Sequence, residues 1–369
     1  MPMVHDSWAA PDALRGRTVL LAMSGGVDSS AAAVLLQQRG ARVLGITLKN
    51  FCYTDVEAAG DTSCCSLGHV LDARAVCDRL GIEHFLLDVT HDFGTRVIER
   101  FVAEYDAGRT PNPCVDCNQS VRFPVLVQRA QALGAELVAT GHYARSGRDA
   151  HGRVFLRRGA DASKDQSYFL HGVDAACLER SVFPLGDLHK SEVRAVATAA
   201  GLPVASKSES QEICFLPTGD RRSFLEKHGA PRAGAVVDLH GHELGRHDGI
   251  GFFTVGQRRG LQVAVGHPLY VHHIEPATHT VVVGDESSLW SHGVELDTFW
   301  ERADAAAHDL TVQLRYRSAP APLAGWEPTP DGARLRFVSP QRAVAPGQAA
   351  VLYDGDVVVG GGRIRAALP

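Results

Sequence analysis

Val19-Leu20-Leu21-Ala22-Met23-Ser24-Gly25-Gly26-Val27-Asp28-Ser29 carries an apolar strand into a glycine turn and out along an Ala- and Leu-rich helix. That sequence of elements is a phosphate cradle. Gly25 and Gly26 let the backbone approach an anion without Cβ obstruction, Ser24 and Ser29 offer hydroxyls, and the helix opening near Ser29 aims unpaired N–H groups at the ligand. Asp28 would repel a bare phosphate, but it makes sense if it holds Mg²⁺ bridging a nucleotide's phosphates. The Gly-Lys-Ser/Thr ending of the Walker pattern is absent, which excludes an ordinary P-loop NTPase.

Outward from this turn, the chain alternates helix and strand as far as residue 216. Helical stretches close on Gly40, Gly81, Gly134 and Gly201, and apolar runs follow at 42–48, 83–89, 136–140 and 203–205. The pattern predicts an α/β fold with a doubly wound parallel sheet, whose ligand crevice gathers Met23-Ser24, Leu48 and Thr140-Gly141-His142 at the carboxyl ends of strands. After Leu216 the texture changes. A short helix at 220–227 and β-type runs at 235–239, 250–254, 269–274 and 281–284 predict a small β domain. Runs at 295–300, 310–316, 333–338, 349–352 and 357–359, the last two flanking an Asp354-Gly355 turn, predict a C-terminal β-barrel. The expected domains are therefore 1–216, 217–284 and 285–369.

With 369 residues, 45% of them hydrophobic, the chain can bury two or three cores. No run reaches the length of a membrane span, and residues 1–17 lack a secretory h-region, so a cytoplasmic location is expected. Eight cysteines in that compartment read as thiols rather than a disulfide framework. A net charge of −5 excludes a globally basic nucleic-acid binder. Local tracks stay open at Arg157-Arg158, Arg221-Arg222, Arg258-Arg259 and Arg315-Tyr316-Arg317, although each taken singly is more often a solvated face.

A second chemical constellation is Thr110-Pro111-Asn112-Pro113-Cys114-Val115-Asp116-Cys117-Asn118, with the distant Gln211-Glu212-Ile213-Cys214-Phe215. Two prolines stiffen the approach to Cys114, and Cys117 is expected at the mouth of a helix running to Leu133, where the N-terminus raises the thiolate fraction. Cys117 is thus a candidate nucleophile. A structural zinc site wants four ligands, and one Cys-x-x-Cys pair supplies two; Cys64-Cys65 is not the usual second half. The proline-rich approach is foreign to a thioredoxin-like redox pair. Cys52, Cys77 and Cys177 read as inert core thiols, and Cys64 and Cys65 stay unassigned.

Ser24-Gly25-Gly26-Val27-Asp28-Ser29 resembles the PP-loop of ATP pyrophosphatases, which cleave ATP between the α and β phosphates. An ordered series extends the likeness: the Cys114 and Cys214 segments above, Val121-Arg122-Phe123, Ala139-Thr140-Gly141-His142-Tyr143, Ser163-Lys164-Asp165-Gln166-Ser167-Tyr168-Phe169, Thr254-Val255-Gly256-Gln257-Arg258-Arg259-Gly260-Leu261, Arg315-Tyr316 and Pro346-Gly347-Gln348. Over residues 18–363 the chain resembles the tRNA-specific 2-thiouridylase family (MnmA/TrmU). The resemblance implies ATP-dependent replacement of the C2 oxygen of the wobble uridine by sulfur, in the anticodon stem-loop of tRNA. It implies ATP and Mg²⁺ on Ala22, Met23, Ser24, Gly25, Gly26, Val27, Asp28, Ser29, Leu48 and Gly141, with Asp28 toward the metal. Asn112, Pro113 and Cys114 would face the target base, and His142, Lys164, Asp165, Gln166, Arg315, Tyr316 and Gln348 would contact the tRNA. A sulfur-carrier protein would load a persulfide on Cys214, and turnover would end in a Cys117–Cys214 disulfide.

Cys114 stands where some members of the family carry Asp. Cys114, Cys117 and Cys214 together would suit an iron–sulfur cluster as an alternative sulfur carrier. A PP-loop ligase acting on a small metabolite and an RNA-binding protein without catalysis are the other readings. The second would require damage to the loop or thiols, and Ser24, Asp28, Cys117 and Cys214 are all present.

Overall fold

Strand β1 (Thr18–Ala22) lies at the centre of a five-stranded parallel sheet with β2 (Arg42–Lys49), β3 (Glu83–Asp88), β4 (Leu137–Ala139) and, after a hairpin of β5 (Ala144–Arg148) and β6 (Val154–Arg158), β7 (Ser181–Val182). The order is β3-β2-β1-β4-β7. The structure, a computed structural model, describes residues 13–51, 67–149, 151–208, 213–216, 220–229, 231–263, 265–302 and 309–369. Cys52, Cys64, Cys65, Gln211 and Glu212 lie outside the described residues.

Contacts divide the chain into two units, Met1–Val97 with Cys114–Gly219 and Asp356–Val358, and Ile98–Pro113 with Asp220–Gly355 and Val359–Pro369. The sheet belongs to the first. Successive residues of β1 point to opposite faces, and Val19 to Ala22 are all apolar because both faces are covered. Val19 and Leu21 enter a core with Ala31, Ala73, Val76, Val193 and Ala197 from three helices, whereas Leu20 enters another with Ile46, Leu126, Ala130 and Val138. This is the doubly wound arrangement expected. Gly40, Gly81, Gly134 and Gly201, expected at helix ends, all have positive φ.

Residues 203–205 form a turn, and Ser181–Val182 is the fifth strand instead. Pro203 cannot donate to a ladder, while the neighbouring Leu202 and Val204 are buried in the helix-covered core. In the same unit Val357 and Val358 pair with Arg157 and Leu156 of β6. The Asp356 carboxylate accepts from Arg145 at 2.8 Å and from Arg157 at 2.7 Å.

The second unit holds a small sheet of β8 (Gly234–Val237), β9 (Glu243–His247), β10 (Tyr270–Glu275) and β11 (Thr280–Gly284), around Val236, Phe253, Leu269, Val271 and Val281. The expected strand at 250–254 is a 3₁₀ turn, Ile250–Phe252. Gly249 and Gly251 flank Ile250, and glycine is a poor strand former. Its place in the sheet is taken by β9, whose mostly polar sequence gave no strand signal. The barrel expected at the C-terminus consists of β12 (Trp290–Glu301), β13 (Leu310–Gln313), β14 (Ala321–Thr329), β15 (Gly332–Arg342), β16 (Ala349–Asp354) and β17 (Val357–Leu368), closed by β12 against β17. Strand β14 was not among the expected runs; it contains Pro322 and Pro328, residues that strands seldom carry. Within this unit Thr110 N donates to Pro346 O at 2.7 Å, and Gln348 Nε2 donates to Thr110 O at 2.8 Å.

Leu20, on β1, is fully buried against Leu126 and Ala130 of the helix Phe123–Ala132. Leu20→Ala is expected to lower unfolding stability by about 2–5 kcal/mol, read from the midpoint of a urea titration at unchanged m-value.

Candidate active site

The turn after β1 is fixed by the sheet before it meets any ligand. Met23 N donates to Ile46 O at 2.8 Å, and Thr47 Oγ1 donates to Met23 O at 2.9 Å. Gly25 has φ +70°, and a Cβ there would lie 2.1 Å from His69 O. Above Gly26 there is room, since the nearest atom to a Cβ would be Ser24 Oγ at 3.5 Å. Ser24 is exposed, whereas Ser29 is buried; Ser29 Oγ accepts from Ser24 N at 3.1 Å and donates to Gly26 O at 3.2 Å. Ser29 therefore fastens the turn from inside, and Ser24 is the hydroxyl presented outward. Val27 opens the helix Val27–Gln38, so its first N–H groups have no partner within the helix. Room over Gly26 beside such donors is the geometry of an anion cradle.

Gly141 closes the other side. A Cβ on it would come within 2.9 Å of Ser29 N and 3.0 Å of the Asp28 carbonyl carbon. The Asp28 carboxylate accepts from Tyr143 Oη at 2.7 Å and Lys190 Nζ at 2.7 Å, both on Oδ1. Lys207 Nζ donates to Gly25 O at 3.2 Å and pairs with Asp72. Leu48 is half-buried at the end of β2, in register with Leu87. Among the described residues no three His, Cys, Asp or Glu side chains gather as a cation site. Asp28 alone fits the single-carboxylate mode in which Mg²⁺ is shared with substrate phosphates. Among the described residues Cys114, Cys117 and Cys214 are not grouped as cluster ligands.

The thiols come next. The helix begins at Pro113 (Pro113–Cys117), widens into a π turn (Asn118–Arg122) and continues as Phe123–Ala132. This corrects the expected geometry. Proline at a first helical position starts the helix four residues before Cys117, so Cys114 occupies the first turn and Cys117 lies beyond the orphan N–H groups. Cys117 is buried, and Cys114 and Cys214 are half-buried. No disulfide joins Cys117 to Cys214 here.

One helical stretch nevertheless braces both segments. Phe93 is fully buried; Phe215, next to Cys214, meets it edge-on at 5.9 Å, and Phe51 beyond β2 lies at 6.4 Å. Three residues on, Arg96 donates to Ser120 O at 3.1 Å, three residues beyond Cys117. Cys77 is buried and Cys177 half-buried, and burial pushes Cys77 up to about 12 and raises Cys177 as well.

His142 is half-buried, with its ring against Phe123 and Phe183. Its Nδ1 lies 2.8 Å from Thr140 Oγ1, and Arg122 approaches Nε2 at 3.5 Å. A guanidinium only donates, so Nε2 accepts and Nδ1 carries the proton. Burial, with Arg122 alongside, pushes the ring down to about 3. At neutral pH it is an uncharged hydrogen-bonding group and no phosphate clamp.

Asp165 is buried and faces inward, accepting from Arg158, from Gly159 N and from both the N–H and hydroxyl of Ser167. Gln166 Oε1 accepts from Tyr143 N at 3.0 Å. Gln166 thereby holds the backbone at Tyr143, next to His142, and Lys164 is half-buried. In the second unit Arg315 donates to Ala343 O at 2.8 Å and Val255 O at 3.2 Å, and Arg317 lies over the Tyr316 ring. Gln348 grips Thr110, as described above, so it fixes the approach to Asn112 and Pro113. Arg157, Arg158, Arg221 and Arg222 are engaged with internal partners. Arg258 and Arg259 are exposed on a turn held by Gln257 Nε2 donating to Arg259 O at 2.9 Å.

Sequence reading missed Phe93, Lys190 and Lys207. For Lys190 there was a signal: it is the first residue of the helix Lys190–Ala199, where the dipole disfavours a cation. Phe93 and Lys207 gave none.

Three family models match the chain in order: a tRNA methyl transferase HUP domain over residues 17–218, a tRNA methyl transferase PRC-barrel domain over 222–285, and an aminomethyltransferase beta-barrel domain over 295–364. Among curated proteins, the tRNA-specific 2-thiouridylase MnmA of Pelotomaculum thermopropionicum is 43% identical over 357 residues, covering 94% of this chain and 97% of that protein. The protein of the same name from Geobacter metallireducens is 45% identical over 359 residues, covering 95% and 98%. Among solved structures, a 4-thiouridine synthetase–RNA complex with bound ATP aligns at TM-score 0.36 and 18% identity, over 57% of this chain and 49% of that one.

Two measurements follow from the site. His142 refuses a proton that the unfolded chain takes up at about 6.5, so stability is complete above that pH and falls as pH drops toward 3. His142→Gln should flatten this loss by up to about 1.4 kcal/mol per pH unit in chemical denaturation below pH 6.5. Phe93→Ala should cost about 3–5 kcal/mol, and should raise thiol-reagent access at Cys214 more than at Cys77.

Proposed function

The chain belongs to the tRNA-specific 2-thiouridylase family, MnmA, and on that premise we propose that it replaces the C2 oxygen of the wobble uridine of tRNA with sulfur at the expense of ATP. The C2 carbonyl is urea-like, a poor electrophile with an oxide as leaving group. The uridine O2 therefore attacks the α-phosphorus of ATP, the bond to the bridging oxygen breaks, and pyrophosphate departs with the electron pair. The adenylated oxygen can then leave as AMP. Ser24, the open backbone over Gly26 and the helix N-terminus at Val27 would bind the phosphates; Mg²⁺ held by Asp28 would neutralise charge between them.

Sulfur arrives as the outer atom of a persulfide on Cys214, loaded by a carrier protein. That atom bonds to C2 as AMP leaves, and the Cys117 thiolate attacks the inner sulfur of Cys214. The S–S bond to the transferred sulfur breaks, C2 keeps a thiocarbonyl, and a Cys117–Cys214 disulfide remains. The sulfur gains the two electrons that the two cysteines lose, and an external thiol reductant restores the enzyme. Cys114, Asn112 and Pro113 are assigned to the target base, which leaves its stack to react. Lys164, Arg315 and Tyr316 are assigned to tRNA, with charge on phosphate and the ring for stacking.

The observation that supports this reading most is the common brace: Phe93 and Arg96 tie the segments of Cys214 and Cys117 to one helical stretch, in the unit that also carries the phosphate cradle. Unmodified tRNA incubated with ATP, Mg²⁺ and a persulfide donor should yield 2-thiouridine on nucleoside mass analysis with the intact protein and none with Cys117→Ser or Cys214→Ser. Thiolation by Cys214→Ser would refute the persulfide route, and AMP formation that needs no RNA would favour a ligase. If Arg258 and Arg259 meet phosphates, Arg258→Ala with Arg259→Ala should weaken tRNA binding and reduce the salt slope by about one per arginine.

A further inference from the structure

Two ammonium groups from outside the glycine motif converge on it. Lys190 Nζ reaches Asp28 at 2.7 Å from the start of a helix 162 positions later, and Lys207 Nζ reaches the Gly25 carbonyl at 3.2 Å. They bear on the two ends of the turn whose middle, Gly26, is open. Lys190 is largely enclosed, its side chain 12% exposed, and it occupies a helical position where a cation is unfavourable for the helix itself. The cradle also contains the negative Asp28 and, beside Lys207, Asp72. A polyphosphate entering such a site needs positive charge from the protein beyond the helix N-terminus.

We infer that Lys190 and Lys207 bind the β- and γ-phosphates of the nucleotide and the pyrophosphate formed from them. The inference rests on the nucleotide reading of the loop made above and adds the residues that hold the leaving group. When the α–β bridging bond breaks, its electron pair stays on the pyrophosphate oxygen, and fixed ammonium groups there stabilise the charge as it develops. No proton has to move. Asp28 and Asp72 keep both lysines extended toward the turn until phosphate arrives.

The discriminating measurement is direct binding, by calorimetry, of ATP, AMP and inorganic pyrophosphate with Mg²⁺ to the full chain. Lys190→Met and Lys207→Met should each weaken ATP and pyrophosphate about 10- to 100-fold, as loss of a charge-assisted bond does, and leave AMP unchanged. Lys190→Arg should restore part of the loss. Equal weakening of AMP and ATP would assign the lysines a structural role and overturn the inference, as would unchanged affinity for pyrophosphate. If Lys190→Met fails to fold by circular dichroism, Lys190→Gln and Lys207→Gln carry the same comparison. Failure of the unaltered protein to bind ATP at all would instead overturn the nucleotide reading itself.

Discussion

The site depends on backbone touching backbone. On one side of the glycine turn the His69 carbonyl leaves no space for a Cβ at Gly25, and on the other Gly141 lies directly against the Asp28–Ser29 peptide. Both are packing constraints before they are functional ones. They seat the first helical N–H groups at the edge of the sheet, where three strand ends meet, and they fix the direction in which Asp28 points. A side chain at either position would have to move main chain, which close-packed interiors resist.

The buried Phe93 extends this order to the thiols. Aromatic rings meeting edge-on combine large buried area with a preferred angle, so a single ring relates the end of β2, the Cys214 segment and, through Arg96, the turn after Cys117. The two wide helical turns, Gly94–Ile98 and Asn118–Arg122, lie at this brace. Such turns break the usual side-chain rotation of a helix and recur where groups must be aimed.

Much of the fold was legible in the sequence for local reasons. The glycine-terminated helices and apolar runs of the first unit satisfy helix-capping and buried-strand chemistry, which need no knowledge of distant residues. The elements that were missed lacked local signals: β9 is mostly polar, β14 contains prolines, and the run at 203–205 is apolar because it packs under helices. At the site, the turn and the cysteines could be read as motifs. The inward orientation of Asp165 and Gln166, the neutrality of His142 and the grip of Gln348 on Thr110 arise from contacts across the fold, and residue type alone points such groups toward a ligand. Cys117 was placed wrongly because Pro113 suits a first helical turn as well as it suits a stiff approach.

The short piece Asp356–Val358 closes the first unit by pairing with β6 and by seating a carboxylate between Arg145 and Arg157. During synthesis on a ribosome the glycine turn emerges long before residues 356–358, so this strand pairing and these ion pairs form only after the intervening second-unit sequence has been made. Chains released prematurely would therefore carry a hairpin edge and two arginines without their partners, a mark by which cellular proteolysis can separate them from finished molecules.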